Sequence, residues 1–345
     1  MLQVSQIDSN AERYSRQVLF EGIGRTGQQE LARGHVAVVG CGATGAAAAT
    51  LLARAGVGTL TLIDRDFVEE SNLQRQILFD EEDAREALPK AEAARRKISL
   101  FNSATRVLSH VADVVPANIH GLLEGAVIVL DATDNFETRY LLNDYCVEQG
   151  KPWIYAAALG AYAVTMNILP GETACLSCIF PKAPGGTVET CDTAGILNTT
   201  VNFAASIQVT ETLKFLVGAR SRMRRTLLSR DLWTSEQSEL TAAFPVPNCR
   251  VCGERDFSHL RGEGRPQITL CGRNSVQIHE HRRPLDFAAL QRRLEPLGTV
   301  KFNRMLLRFE HGCHTITLFE DGRALVQGTT DIALARSLYA RFIGA

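Results

Sequence analysis

The chain has 345 residues, 45% hydrophobic and 22% charged, with 37 basic against 38 acidic side chains. That composition excludes wholesale disorder, and a net charge of -1 excludes a global basic field for nucleic acid. The length predicts about two domains, and nine Cys behind an N-terminus without a signal-peptide pattern predict reduced thiols or a metal site in a cytoplasmic protein.

Residues 12–33 are polar and helix-like and end at Gly34. Residues 36–39 form a short apolar run, followed by Gly40-Cys41-Gly42-Ala43-Thr44-Gly45, an Ala-rich helical stretch to Ala55 and the stop signal Gly56. Residues 60–63 make a second strand ending at Asp64, which completes a βαβ unit. A charged helix is predicted over 89–100, a strand over 105–111, a short helix over 116–123 and a buried strand over 126–130. That strand ends in Asp131-Ala132-Thr133-Asp134-Asn135, and a helix follows to Gln149. The uncharged stretch 152–171 contains two Pro and two Gly, which favours two strands and a turn over a membrane span. Residues 171–195 form a long loop, 199–217 a helix stopped by Gly218, and 219–230 a basic linker. The character then changes. Strands are predicted at 267–271, 275–279, 300–309 and 315–319, a turn at Asp321-Gly322, and helices behind Asp286 and from Asp331 to Phe342. The fold class is therefore α/β: a Rossmann-like, doubly wound, mainly parallel sheet spanning residues 1–260, with a small α/β appendage over 266–345.

Five features carry chemistry. Gly40, Gly42 and Gly45 open a helix directly after a strand, and Asp64 lies 24 residues beyond Gly40, placed to accept ribose hydroxyls. This combination points to a nucleotide, NAD as readily as ATP; a bare tight turn is the alternative. Next come Ser71-Asn72-Leu73-Gln74-Arg75-Gln76 and Lys90, in which Arg75 and Lys90 can clamp a triphosphate or be solvated surface charges. Asp131 and Asp134 follow a buried strand, where a carboxylate can hold Mg²⁺ or cap the next helix. Cys175-x-x-Cys178 and Cys249-x-x-Cys252 suit a closed, tetrahedral Zn²⁺ site that staples segments about seventy residues apart. A redox pair is disfavoured because two pairs occur. Finally, Cys191 sits on the long loop, where a thiol can take an activated acyl group or remain inert.

Arg13-Tyr14-Ser15-Arg16-Gln17, the glycine turn, Ser71–Gln76, Asp131–Asn135 and the two Cys pairs, in this order, resemble the ThiF/MoeB adenylyltransferase family, bacterial relatives of ubiquitin-activating enzymes. The tail, with Cys271-Gly272-Arg273-Asn274 and Asp321-Gly322-Arg323, is similar to the long form found in the thiazole-biosynthesis branch. The resemblance implies ATP-dependent adenylation of the Gly-Gly carboxylate of a ubiquitin-like sulfur-carrier protein, in thiamine thiazole or in molybdopterin synthesis. It implies that Gly40, Gly42, Gly45, Asp64, Ser71, Asn72 and Asn135 hold the nucleotide, Arg75 and Lys90 its phosphates, and Asp134 the Mg²⁺. It assigns zinc to the four paired Cys and a transfer role to Cys191. Arg16 would enter a neighbouring subunit's site, which implies a homodimer. Sulfur would come from a separate donor protein, because no rhodanese-like domain is visible. A dehydrogenase on the same core, or an inactive scaffold, are the competing readings.

Overall fold

The structure is a computed structural model that describes residues 12–182, 195–263, 268–271, 275–278, 285–302, 306–319 and 324–343. Two compact units divide the chain, Met1–Glu263 and Gly264–Ala345.

The first unit is built on an eight-stranded sheet: β1 (His35–Val39), β2 (Thr59–Asp64), β3 (Arg106–Val111), β4 (Ile128–Asp131), β5 (Trp153–Leu159), β6 (Tyr162–Ile168), β7 (Thr226–Asp231) and β8 (Gln237–Thr241). Their spatial order is β3-β2-β1-β4-β5-β6-β7-β8. Pairs from β3 through β5 are parallel, and those from β5 to β8 antiparallel. The parallel half is apolar on both faces: Val36, Ala37, Val38, Leu60, Leu62, Ile128 and Leu130 have no exposed surface. Helices cover it: α1 (Gly24–Arg33), α2 (Ala43–Ala55), α3 (Lys90–Phe101), α4 (Phe136–Glu148) and α5 (Asn198–Leu216). The Ala-rich face of α2 puts Ala46 to Ala49 at 0–1% exposure, so α5 and the sheet can approach its backbone closely. Gly56 ends α2 at φ 85°, a left-handed cap suited to glycine.

Three readings are corrected. Residues 219–230 are no linker, since β7 starts at Thr226 and pairs with β6 and β8. The polar helix over 12–33 is interrupted: a short turn, Ser15–Val18, is separated from α1, and Gly24 stands at φ 61°. The alternating stretch 300–309 belongs to two strands, Thr299–Phe302 and Leu306–His311, which pair antiparallel.

The second unit is a six-stranded antiparallel sheet formed by β9 (Ile268–Cys271), β10 (Ser275–Ile278), β11 (Thr299–Phe302), β12 (Leu306–His311), β13 (His314–Phe319) and β14 (Ala324–Gln327). Its order is β11-β12-β13-β14-β10-β9. Helices α6 (Phe287–Leu294) and α7 (Ile332–Phe342) contribute Leu294, Ala335, Tyr339 and Phe342 to its core. Asp286 and Asp331 cap these helices by accepting backbone N–H bonds. The turn expected at Asp321-Gly322 lies outside the described residues. Among the described residues no helix is long and apolar enough to cross a membrane.

Candidate nucleotide site and thiol cluster

The strand order reverses at β1, whose neighbours are β2 and β4, and open α/β sheets bind ligands beyond the carboxyl ends of such strands. There β1 runs into the glycine turn. Gly40 has φ 92°, and a Cβ on it would stand 2.6 Å from the Ala132 carbonyl oxygen. A Cβ on Gly45 would fall 1.8 Å from the Gly40 carbonyl oxygen, so the helix can start this close to the strand only without a side chain. Gly42 differs: the nearest atom to a Cβ there is Gln76 Nε2, at 4.0 Å. The first and third glycines thus fold the turn, while the second keeps its face open above the N-terminus of α2, where free N–H groups favour an anion.

Asp64 locks this turn from the end of β2. Its Oδ2 accepts the Cys41 N–H (2.5 Å) and its Oδ1 the Asp66 N–H (2.7 Å). Each oxygen keeps a lone pair for a ribose hydroxyl. Burial pushes the carboxyl above its usual range, and the Lys90 charge opposes that rise. Lys90, the first residue of α3, is 3% exposed; its Nζ lies 3.2 Å from Asp66 Oδ2, and its N–H donates to the Asp66 carbonyl. Asp66 therefore ties Asp64 to Lys90. The Asp-x-Asp spacing was its visible signal in the sequence.

Arg75 is half-buried, and its Nη1 donates to the Ser71 carbonyl at 2.9 Å. Ser71 is exposed, whereas Asn72 is fully buried and braces the turn, its Oδ1 accepting the Glu69 N–H. At the end of β4, Asp131 is fully buried and bound by the Thr133 N–H and hydroxyl (2.9 and 2.6 Å) and by Arg139 Nε (3.3 Å). Burial pushes its carboxyl up, against the Arg139 charge. Both Asp131 oxygens are thus engaged by groups of the protein itself. Asp134 is exposed, and the cap of α4 is Asn135, whose Oδ1 accepts the Thr138 N–H; the capping reading of Asp134 is set aside. Of the two carboxylates that follow β4, the accessible one is therefore Asp134.

The segment holding Arg16 packs at the other end of α2 and α3. Arg13 donates to the Phe101 carbonyl (2.9 Å) and Asn102 Oδ1 (2.7 Å), Asn102 Nδ2 donates to the Tyr14 hydroxyl (2.8 Å), and Gln17 Nε2 donates to the Ala55 carbonyl (2.8 Å). These residues are anchored while Arg16 is exposed. A thirteen-residue helix such as α2 is about 20 Å long, which separates Arg16 from the glycine turn of its own chain.

Cys175, Cys178, Cys249 and Cys252 bring four sulfur atoms within 4.8 Å of one another. Cys175–Cys249, Cys175–Cys178 and Cys178–Cys252 stand at 3.6, 3.7 and 3.4 Å. A tetrahedron with Zn–S bonds of about 2.3 Å has sulfur–sulfur edges of about 3.8 Å, so the four thiols fit zinc and leave no open position. Asn143 Nδ2 approaches Cys175 Sγ (3.7 Å) and the Val246 N–H approaches Cys178 Sγ (3.4 Å), donors that suit thiolates. The cluster joins the segment after β6 to the segment after β8. Cys191 lies outside the described residues.

Fold and site together define a nucleotide-binding α/β protein with a separate, closed four-cysteine centre. The chain belongs to the ThiF family, whose model matches residues 14–251. It is 44% identical over 336 residues to the sulfur carrier protein ThiS adenylyltransferase of Bacillus subtilis, covering 96% of this chain and 99% of that one. It is 33% identical to the mouse adenylyltransferase and sulfurtransferase MOCS3, over 88% of this chain and 68% of that one. Escherichia coli MccB solved with ATP superposes with a TM-score of 0.61 at 25% identity, over 70% of this chain and 74% of MccB.

Proposed function

We propose that the protein adenylates the C-terminal Gly-Gly carboxylate of a ubiquitin-like sulfur-carrier protein for thiamine thiazole synthesis. The observation that carries this reading is the alignment of a glycine turn, Asp64, Lys90 and Arg75 around one sheet crest in a ThiF-family chain that matches a ThiS adenylyltransferase almost end to end. A carboxylate oxygen attacks the α-phosphorus of ATP. The bond to the β-phosphate oxygen breaks, and pyrophosphate leaves with the electron pair. This displacement needs an in-line pose and charge neutralisation more than proton transfer.

In this reading Gly40, Gly42, Gly45, Asp64, Ser71, Asn72 and Asn135 form the nucleotide side, and Arg75 and Lys90 bind the phosphates. Asp134 would hold Mg²⁺, which supplies positive charge to the polyphosphate. Zinc at the four Cys is structural. After adenylation the Cys191 thiolate attacks the acyl carbon and AMP leaves, giving a thioester, or Cys191 receives sulfane sulfur from a persulfide on a separate donor protein, which keeps its own thiol. The reaction takes place in the cytoplasm, where thiols stay reduced.

Incubation with ATP, labelled pyrophosphate and a panel of Gly-Gly carriers is expected to show exchange with the thiamine-type carrier. The likeness to MOCS3 favours one second reading, the same activation for molybdopterin synthesis, and exchange with that carrier alone would establish it. No exchange with any carrier would return the site to a dehydrogenase or an inactive scaffold.

Arg16 stands far from its own glycine turn, beside Leu19 and Phe20, which are 75% and 65% exposed. Apolar side chains displayed together favour a subunit interface. We therefore place Arg16 in the partner's site of a homodimer. Arg16→Ala and Arg75→Ala homodimers are each expected to be inactive. Mixing them through unfolding and refolding should restore about a quarter of wild-type exchange, since half of the dimers then carry one intact site. Mixed samples as inactive as the parents would place Arg16 in its own chain's chemistry, and an active Arg16→Ala parent would place it outside the chemistry.

A further inference from the structure

We infer that Gln76 is a substrate-contacting residue whose carboxamide N–H holds a non-bridging oxygen of the α-phosphate; the inference rests on the adenylation reading above. Gln76 closes the Ser71–Gln76 turn, where its backbone N–H donates to the Asn72 carbonyl at 2.9 Å. The residue is only 2% exposed, yet its Oε1 is buried without a hydrogen-bond partner among the described residues. Its Nε2 points to the open middle glycine, 4.0 Å from where a Gly42 Cβ would stand.

A buried half-satisfied amide calls for an explanation. The observed orientation leaves Oε1 unpaired and presents the N–H₂ to the face above Gly42. That is the useful choice if the ligand there only accepts hydrogen bonds, as phosphate does. The position selects which phosphate. Asp64, the ribose partner, is bonded to the N–H of Cys41, the residue before Gly42, and the phosphate nearest the ribose is the α-phosphate. Gly42 is also the N-cap of α2, so helix N–H groups and the Gln76 amide face the same anion. Charge builds on the non-bridging oxygens there as the carboxylate attacks, so the donor lies where it can bind the transition state more strongly than bound ATP.

The test uses the full-length protein in carrier-dependent ATP–pyrophosphate exchange. Gln76→Met keeps the volume and removes the donor. Its exchange kcat is expected to fall about a hundredfold with a smaller change in the KM for ATP. The decisive readout is the pair of α-phosphorothioate diastereomers of ATP, each of which replaces one non-bridging oxygen by sulfur. Wild type should prefer one diastereomer, and Gln76→Met should lose that preference, which a packing role would not alter. If Gln76→Met does not fold, the near-isosteric Gln76→Glu takes its place, with the same loss of rate and of preference expected. Wild-type rates, or an unchanged diastereomer preference in the variant that folds, would overturn the role of Gln76. Absence of exchange in wild type with every carrier would instead overturn the adenylation reading itself.

Discussion

Arg75→Ala is expected to slow carrier-dependent ATP–pyrophosphate exchange by about a hundredfold or more, a loss of about 3 kcal/mol of transition-state stabilisation, while leaving the fold intact. The structure explains both halves of that expectation. The guanidinium is half-buried and donates to the Ser71 carbonyl within its own turn, so its removal leaves no buried charge orphaned. Lys90 cannot substitute for it, because it is a point charge held beside Asp66 and lacks the planar fork that grips two phosphate oxygens. The measurements are initial exchange rates and thermal unfolding on the same preparations. An unchanged rate would remove Arg75 from the phosphate site, and a large fall in Tm would show that the turn depends on it.

Loss of the thiol cluster should act on stability first. Wild type should carry one Zn²⁺ per chain, and Cys249→Ser should lose it. The cluster closes a loop of about seventy residues, and tying such a loop restricts the unfolded chain by about 4 kcal/mol before any bond enthalpy is counted. In a unit of this size that corresponds to a fall in Tm of roughly 10 °C. Cys313→Ser, at an exposed position in the second unit, serves as the control and should change neither metal content nor Tm. Metal-free wild-type protein, or a Cys249→Ser variant of wild-type stability, would refute the zinc centre.

The sequence by itself determined the parts governed by local rules. A βαβ unit is visible because its strand is buried on both faces, its glycines permit one turn and its helix is rich in Ala, all within thirty residues. The Cys pairs are visible because tetrahedral thiolate coordination imposes a short spacing within each pair. Tertiary structure decided what depends on distant partners. The strands β7 and β8 carry weak periodicity because β8 is an exposed edge, every residue of it facing solvent, and only pairing with β6 makes β7 a strand. Asp131 and Asp134 read alike in the chain. Arg139 and Thr133 claim the first, and Asn135 takes the cap and leaves the second accessible. Gln208 carried no signal at all. From α5 its Nε2 donates to the carbonyls of Asp131 and Ile154, both at 2.8 Å, bridging β4 and β5 at the ends of their pairing. Such a bond exists only once helix and sheet are packed, because an amide's partners are fixed by position in space and not by spacing along the chain.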